Sequence, residues 1–137
     1  MSTFGAIGTA GSGMTVYRTW LDAISDNLAN LNTVRGTDEA AFQAKYVAVE
    51  AAGYGTGTDS GAGVRVRGIE LGSAEGRLVY EPNHPLADAE GYVKYPDIDM
   101  SSQMTQLIMA QRGYQANLAV VERATTAYQA ALQLGKG

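Results

Sequence analysis

The chain has 137 residues, of which 45% are apolar and 18% charged, with a net charge of −4 and no cysteine. That length suits one small domain, or one small domain with extended arms. The acidic balance excludes the electrostatic footprint of a nucleic-acid binder. The lack of Cys excludes a disulfide framework, a thiolate nucleophile and a Cys-based zinc site.

The charges divide the chain into three parts. Residues 1–33 hold only Arg18, Asp22 and Asp26, and residues 100–137 only Arg112, Glu122, Arg123 and Lys136. Residues 34–99 carry six basic and eleven acidic side chains, as an ordinary solvated domain would. No window reads as a membrane span, since the most apolar one, 118–134, contains Glu122 and Arg123. The first charge is Arg18, and Gly5, Gly8, Gly11 and Gly13 interrupt any apolar run before it. The expectation is a protein that, if it leaves the cytoplasm, does so without a cleaved signal peptide.

In the N-terminal arm Ile7, Met14, Leu21 and Leu28 recur every seven residues, with Ala10, Tyr17, Ile24 and Leu31 three places behind. This apolar seam is the pattern by which one helix packs along another. The spacing predicts helix over 14–31, extending back to 3 only if something packs on the glycine-rich start. Asn32, Thr33 and Gly36 are the stop signals. Asn27, Asn30 and Asn117 flank the seams; Asn is a mediocre helix former, so each needs a reason to sit there, and Asn30 reads as a helix cap or as an interhelical hydrogen bond that fixes register.

Between the arms, 42–50 alternates as a strand, with Phe42, Ala44, Tyr46 and Ala48 on one face. Val64–Arg67 alternates too, and Gly68 allows a bulge before Ile69 and Leu71. Arg77–Tyr80 and Tyr92–Tyr95 are two further short strands, giving a small antiparallel β unit. The Gly-rich run 53–63 has neither the Gly-Lys-Ser/Thr ending of a phosphate loop nor a G-x-G-x-x-G spacing, and reads as a connector. The sole histidine, His84, lies in a double-proline turn near Glu81, Asp88 and Glu90. A general base or metal ligand is conceivable there, but no nucleophile–base–orienter set accompanies it, so no enzyme and no cofactor or metal is expected.

The C-terminal arm repeats Met100, Met104, Leu107, Gln111, Tyr114, Leu118, Val121, Thr125, Tyr128 and Leu132 in steps of four and three. Ser101 and Ser102 offer N-caps, and Gly135 ends the run. Such a helix over 100–134 is roughly 52 Å long, at about 1.5 Å per residue. That exceeds the ~37 Å diameter of a compact globule of this length, so it should project. Its other faces hold Ala110, Ala116, Ala119, Ala124, Ala127, Ala130 and Ala131 rather than Glu and Lys pairs. A two-helix hairpin with a bland outer face would explain this; so would a helical pair that packs against copies or relatives of itself, which the paucity of charge favours.

The fold class expected is therefore α+β: long N- and C-terminal helices (1–33 and 100–137) paired as a coiled-coil-like arm, with a small antiparallel β unit (34–99) between them. The expected assembly interface is Ile7, Met14, Tyr17, Leu21, Ile24, Asn27, Leu28, Asn30 and Leu31 on the first arm. On the second it is Met104, Leu107, Tyr114, Asn117, Leu118, Val121, Tyr128 and Leu132.

Three segments carry a family resemblance. Residues 12–33, with Leu21-Asp22-Ala23-Ile24-Ser25-Asp26-Asn27-Leu28-Ala29-Asn30 at their centre, resemble the N-terminal signature of the bacterial flagellar rod and hook family. Ala110-Gln111-Arg112-Gly113-Tyr114-Gln115-Ala116-Asn117 resembles its C-terminal signature. Tyr80-Glu81-Pro82-Asn83-His84-Pro85 through Val93 resembles the segment that marks a proximal-rod member. Three features depart from the family pattern: Gln103 where Glu is common, Leu31 where a small residue is usual, and a locally expanded 53–63 loop.

The resemblance implies a structural subunit exported through the flagellar type III apparatus without a cleaved signal, whose paired terminal helices polymerise into the torque-transmitting rod of the basal body in the periplasm. Implied partners are copies of itself, other flagellar rod proteins, and the adaptor joining the rod to the export gate and membrane ring. Nucleic acid, a small-molecule substrate and a direct membrane span are not implied. The competing readings are a coiled-coil adaptor that never polymerises and a soluble enzyme or ligand-binding domain centred on His84 and the Gly-rich loop.

Overall fold

The computed structural model describes residues 3–53 and 62–137. Helix α1 spans Thr3–Ala29 and helix α2 spans Met100–Leu134. Between them lie β1 (Lys45–Ala51), β2 (Val64–Leu71), β3 (Arg77–Tyr80) and β4 (Tyr92–Tyr95). The glycine-rich start of α1 is helical, and it is packed: the Phe4 ring meets that of Tyr128 on α2 edge-on, centroids 5.1 Å apart. α1 stops two residues short of the expected end, which leaves Leu31 outside it. Asn30 closes the helix, donating to the Asp26 carbonyl (2.9 Å) and accepting from the Thr33 hydroxyl (3.1 Å).

α2 is capped by Asp99 rather than by either expected serine. Asp99 is extended, and its carboxylate accepts the Ser102 amide at 2.7 Å. Asp99 is the last residue before the helix, so its side chain is the one placed to reach a free first-turn N–H. Gly135 ends the helix as expected, donating to the Ala131 carbonyl.

The β unit divides into two separate antiparallel hairpins. In the first, Ala48 pairs with Gly68 and Val49 with Val66, so Arg67 is the extra residue of a bulge beside the glycine. Its first strand begins at Lys45, not 42. The backbone just before it is taken by another segment: the Ala41 amide donates to Ala74, and the Ala44 carbonyl accepts from Gly72. The second hairpin pairs Arg77 with Tyr95 through Tyr80 with Tyr92, and Arg35 bridges to Lys94 on its edge. Asp88 organises its connection, accepting the Tyr92 (2.8 Å) and Glu90 (3.0 Å) amides and the Thr37 hydroxyl (3.0 Å).

The core is built of small side chains. Ala10, Ala23, Ala41, Ala44 and Ala110 are buried alongside Ile24, Val93 and Ile98. The first hairpin packs on α1, tied by the Val64 amide donating to Ser12 (3.0 Å) and by the Asp26–Lys45 ion pair. Among the described residues no Cα of the second hairpin's strands lies within 8 Å of one in either helix.

Candidate assembly interface

α1 and α2 run antiparallel, and the contacts fix their register. Phe4 meets Tyr128, Gly13 faces Asn117, Tyr17 covers Gly113, and Asn27 bonds Gln103. The helices approach closely because glycine stands at two of these crossings. A Cβ on Gly13 would sit 2.8 Å from Asn117 Oδ1, and one on Gly113 would fall within the Tyr17 ring.

At the base of the pair one polar group joins three elements. Asn27 is 1% exposed; its amide donates to Gln103 Oε1 (3.0 Å) and to the Lys45 carbonyl (3.0 Å), and its oxygen accepts the Lys45 amide (2.8 Å). Every one of these buried polar atoms is partnered, so the network is affordable in a low-dielectric site and orients both helices on β1. Of the three asparagines flanking the seams, Asn27 supplies the interhelical bond. Asn30 is a cap, and Asn117 donates to Gly113 of its own helix (2.8 Å).

The α2 seam differs from the expected one in half its positions. Leu107, Tyr114 and Val121 face α1 and are half-buried, as the spacing predicts. The alternate positions are shifted back by one: Gln103, Ala110, Asn117 and Ala124 fill them, in place of Met104, Gln111, Leu118 and Thr125. Ala110, expected on an outer face, is wholly buried. The physical reason is the close approach: a seam opposite Gly13 and Ala10 has room for Ala and Asn but not for Met or Leu. An apolar template scores Gln103 and Asn117 as polar and passes over them; the heptad Gln103-Ala110-Asn117-Ala124 is visible only when small residues are counted as seam formers.

On α1, Ile24 is buried and Ile7, Met14, Tyr17, Leu21 and Leu28 are half-buried; Leu31, half-buried as well, lies beyond the helix. Met104, Leu118, Tyr128 and Leu132 of α2 are exposed. At about 100° per residue, Met104 and Leu118 lie roughly 80–120° to one side of Ala110, and Met109 and Val120 lie as far to the other. Both pairs are exposed. The intramolecular seam thus leaves two apolar flanks of α2 unpartnered.

His84 Nδ1 accepts the Leu86 amide (3.1 Å) inside its own turn, and no group of three His, Asp or Glu side chains among the described residues could hold a metal ion. Most of the 53–63 connector, 54–61, lies outside the described residues. No helix among them is long and apolar enough to cross a membrane.

Two sequence families match the helical ends. The family described as "Flagella basal body rod protein" matches residues 7–35, and "Flagellar basal body rod FlgEFG protein C-terminal" matches residues 89–134. Among curated proteins, the flagellar basal-body rod protein FlgC of Escherichia coli O157:H7 is 38% identical over 130 residues, covering 93% of each chain. That of Yersinia enterocolitica is 37% identical over 136 residues, covering 99% of this chain and 100% of the relative. That of Bacillus subtilis is 30% identical over 151 residues, covering 99% and 100%.

Proposed function

Because the chain belongs to the FlgC family of flagellar basal-body rod proteins, a structural subunit of that rod, we propose that it polymerises through the outer faces of its terminal helices into the drive shaft that carries torque. The observation that carries this reading is the pair of exposed apolar flanks on α2, Met104 with Leu118 and Met109 with Val120, either side of a seam already filled by α1. A monomer gains nothing from these side chains in water; a packed tube buries them. Two flanks that are not related by symmetry meet different neighbours, which builds an open helix rather than a closed ring. Stiffness then comes from many dispersion contacts along a ~52 Å helix.

The partners are copies of this chain and the other rod components, with the adaptor to export gate and membrane ring at the proximal end. The place of action is the basal body, reached in the periplasm through the type III apparatus without a cleaved signal. The 34–99 region serves as a lateral domain on the helical arm. An adaptor that binds one partner and stops would need only one of the two flanks.

The test is complementation of a deletion strain with Met104→Asp/Leu118→Asp. Both positions lie on the exposed flank beside the seam rather than in it, so the purified chain should keep its circular dichroism spectrum. A carboxylate placed in a packed apolar contact costs several kcal/mol, on the order of the burial penalty for an unpaired charge. Isolated basal bodies should therefore lack the rod. Normal rods from this variant would remove the helix-packing basis of the reading.

A further inference from the structure

The second hairpin presents a surface that the helical seam does not use. Leu78 and Tyr80 project from one face of β3, opposite Lys94 and Tyr92 of β4, and the Tyr80 and Tyr92 rings meet edge-on at 5.4 Å. Leu78 and Tyr80 are 60% and 63% exposed. Beside them is a depression of about 480 Å³ lined by Glu75, Leu78, Asp88, Glu90, Tyr92 and Lys94, whose ammonium is taken up by the Glu39 carbonyl (2.8 Å). Asp88 is occupied by backbone amides and Thr37, but the Glu75 and Glu90 carboxylates have no hydrogen bond or ion pair among the described residues. Aromatic faces next to free carboxylates are the chemistry that receives a guanidinium.

The same chain carries the complement. Arg112 lies on the back of α2, roughly 160° from Ala110 at about 100° per residue, and is likewise unpaired among the described residues. Ile108, one turn before it on the same back face, is 48% exposed. Within one molecule the two surfaces are apart, because no Cα of β3 or β4 lies within 8 Å of one in α2. An exposed ion pair alone contributes little, so the apolar side chains flanking both charges are needed for a stable contact. Both surfaces have them.

We propose that the β3–β4 face docks on the back of α2 of a second copy of this chain, with Arg112 of one copy received between Glu75, Glu90 and Tyr92 of the next. The contact rests on the rod-subunit reading and adds a lateral, hairpin-to-helix link to the helix–helix packing. It is heterologous, joining different patches on the two copies, and so repeats along a helix.

The test uses the full chain in a deletion strain. Arg112→Glu alone, and Glu75→Arg/Glu90→Arg alone, should each lower rod yield several-fold. Combining all three restores the charge pairing between copies, and yield should recover. As a second measure, Leu78→Cys/Ile108→Cys is introduced into this cysteine-free chain and isolated basal bodies are oxidised. The expected product is the chain cross-linked to itself, at twice its mass and in longer ladders, and neither single-Cys variant should give ladders. Rods that form normally without such a product, or a product joined only to a chain of different mass, overturn the proposal while leaving the rod-subunit reading intact. A combined variant that recovers nothing, together with no self-cross-link, overturns it too. If the wild-type chain is missing from isolated basal bodies, the rod-subunit reading itself fails and takes this contact with it.

Discussion

The ring of Tyr17 on α1 occupies the space where a side chain on Gly113 of α2 would begin. That pairing sets the spacing of the two helices, since α1 cannot retreat without opening the small-residue seam around Ala10 and Ala110. Gly113→Ala gains about 1 kcal/mol of helix propensity. It must also displace the ring, which stacks on Trp20 with centroids 6.1 Å apart. Overpacking of this kind costs typically 1–3 kcal/mol, so the net effect is destabilising. Tyr17→Ala should relieve the clash, so the double variant is more stable than the sum of the two single changes predicts. Chemical denaturation of the four chains measures this, and strict additivity would mean that the two residues are not in contact.

The glycines of α1 separate by position. An added Cβ meets nothing within 4 Å at Gly8 or Gly11 but meets Asn117 at Gly13. Gly8→Ala and Gly11→Ala should each stabilise the chain by up to about 1 kcal/mol, through helix propensity and a less flexible unfolded state. Gly13→Ala should destabilise it, because Asn117 must rotate away and give up its bond to the Gly113 carbonyl. Thermal melts of the three variants should show opposite signs.

Asn27→Ala would strand the Lys45 amide and the Gln103 side chain in a site almost without water. Each stranded buried group costs about 1–3 kcal/mol, so the loss should exceed that from a typical single hydrogen bond. Asn27→Ala/Gln103→Leu removes one of the stranded groups and should recover part of the loss. Urea unfolding checks both, and equal stability of the single and double variants would deny the coupling between Asn27 and Gln103.

The two helices and four strands were legible because their signals are local. Leu21 and Leu28 repeat at seven, Val64–Arg67 alternates at two, and Gly68 marks the bulge. What sequence reading placed wrongly depends on how close two elements come. The choice between Met104 and Gln103 as the seam residue is made by Gly13 and Gly113 on facing helices, and hydrophobicity ranks the wrong one first. Asp99 outranked Ser101 and Ser102 as cap because it stands directly before Met100, the first helical residue; Asp caps as well as Ser, and the serine reading passed over that signal. The separation into two hairpins follows from the loop 35–44 pairing with 72–74 and Lys94, a non-local event. Of the assembly residues on α1, Tyr17 and Asn27 meet α2 and Ile24 is buried; Ile7, Met14, Leu21 and Leu28 are half-buried, and Asn30 and Leu31 lie beyond the helix. Met104 and Leu118 lie outside the seam, on a flank that only the packed pair reveals.

Asp88 makes the second hairpin acid-sensitive. Bonds from the Tyr92 amide, then Thr37 and neighbouring amides, hold its carboxyl below the ordinary value against the opposing effect of burial. A depressed folded pKa gives stability that is present above the unfolded pKa, about 3.9, and is lost as pH falls below it through the folded value. Asp88→Asn should flatten the melting temperature's dependence on pH in that acid window, with little change in slope near neutrality. An unchanged slope below pH 4 would show that the carboxylate is not the linked group.

The free end of α2 should be the least stable part of the helical pair in a monomer. Every residue from Thr125 to Gly137 is exposed, and the last described contact with α1 is that of Phe4 with Tyr128. Beyond it Leu132 and Leu134 are 50% and 84% exposed. A helix segment with no packed face is marginal in water, because propagation alone barely offsets conformational entropy. Amide hydrogen exchange on the verified monomer should be fast from residue 129 to the end of α2. Around Ala10–Asn27 and Gln103–Val121, where the seam is closed, it should be slow. Tyr128→Ala should spread fast exchange back along α2 and into residues 3–7 of α1, since it removes the contact that closes the pair. In isolated basal bodies the same terminal amides should become protected, because the flanks and the overhanging turns are then covered by neighbours. Uniform protection through Leu134 in the monomer would mean that the end of α2 holds itself together, and exposure of its apolar side chains would then say nothing about assembly.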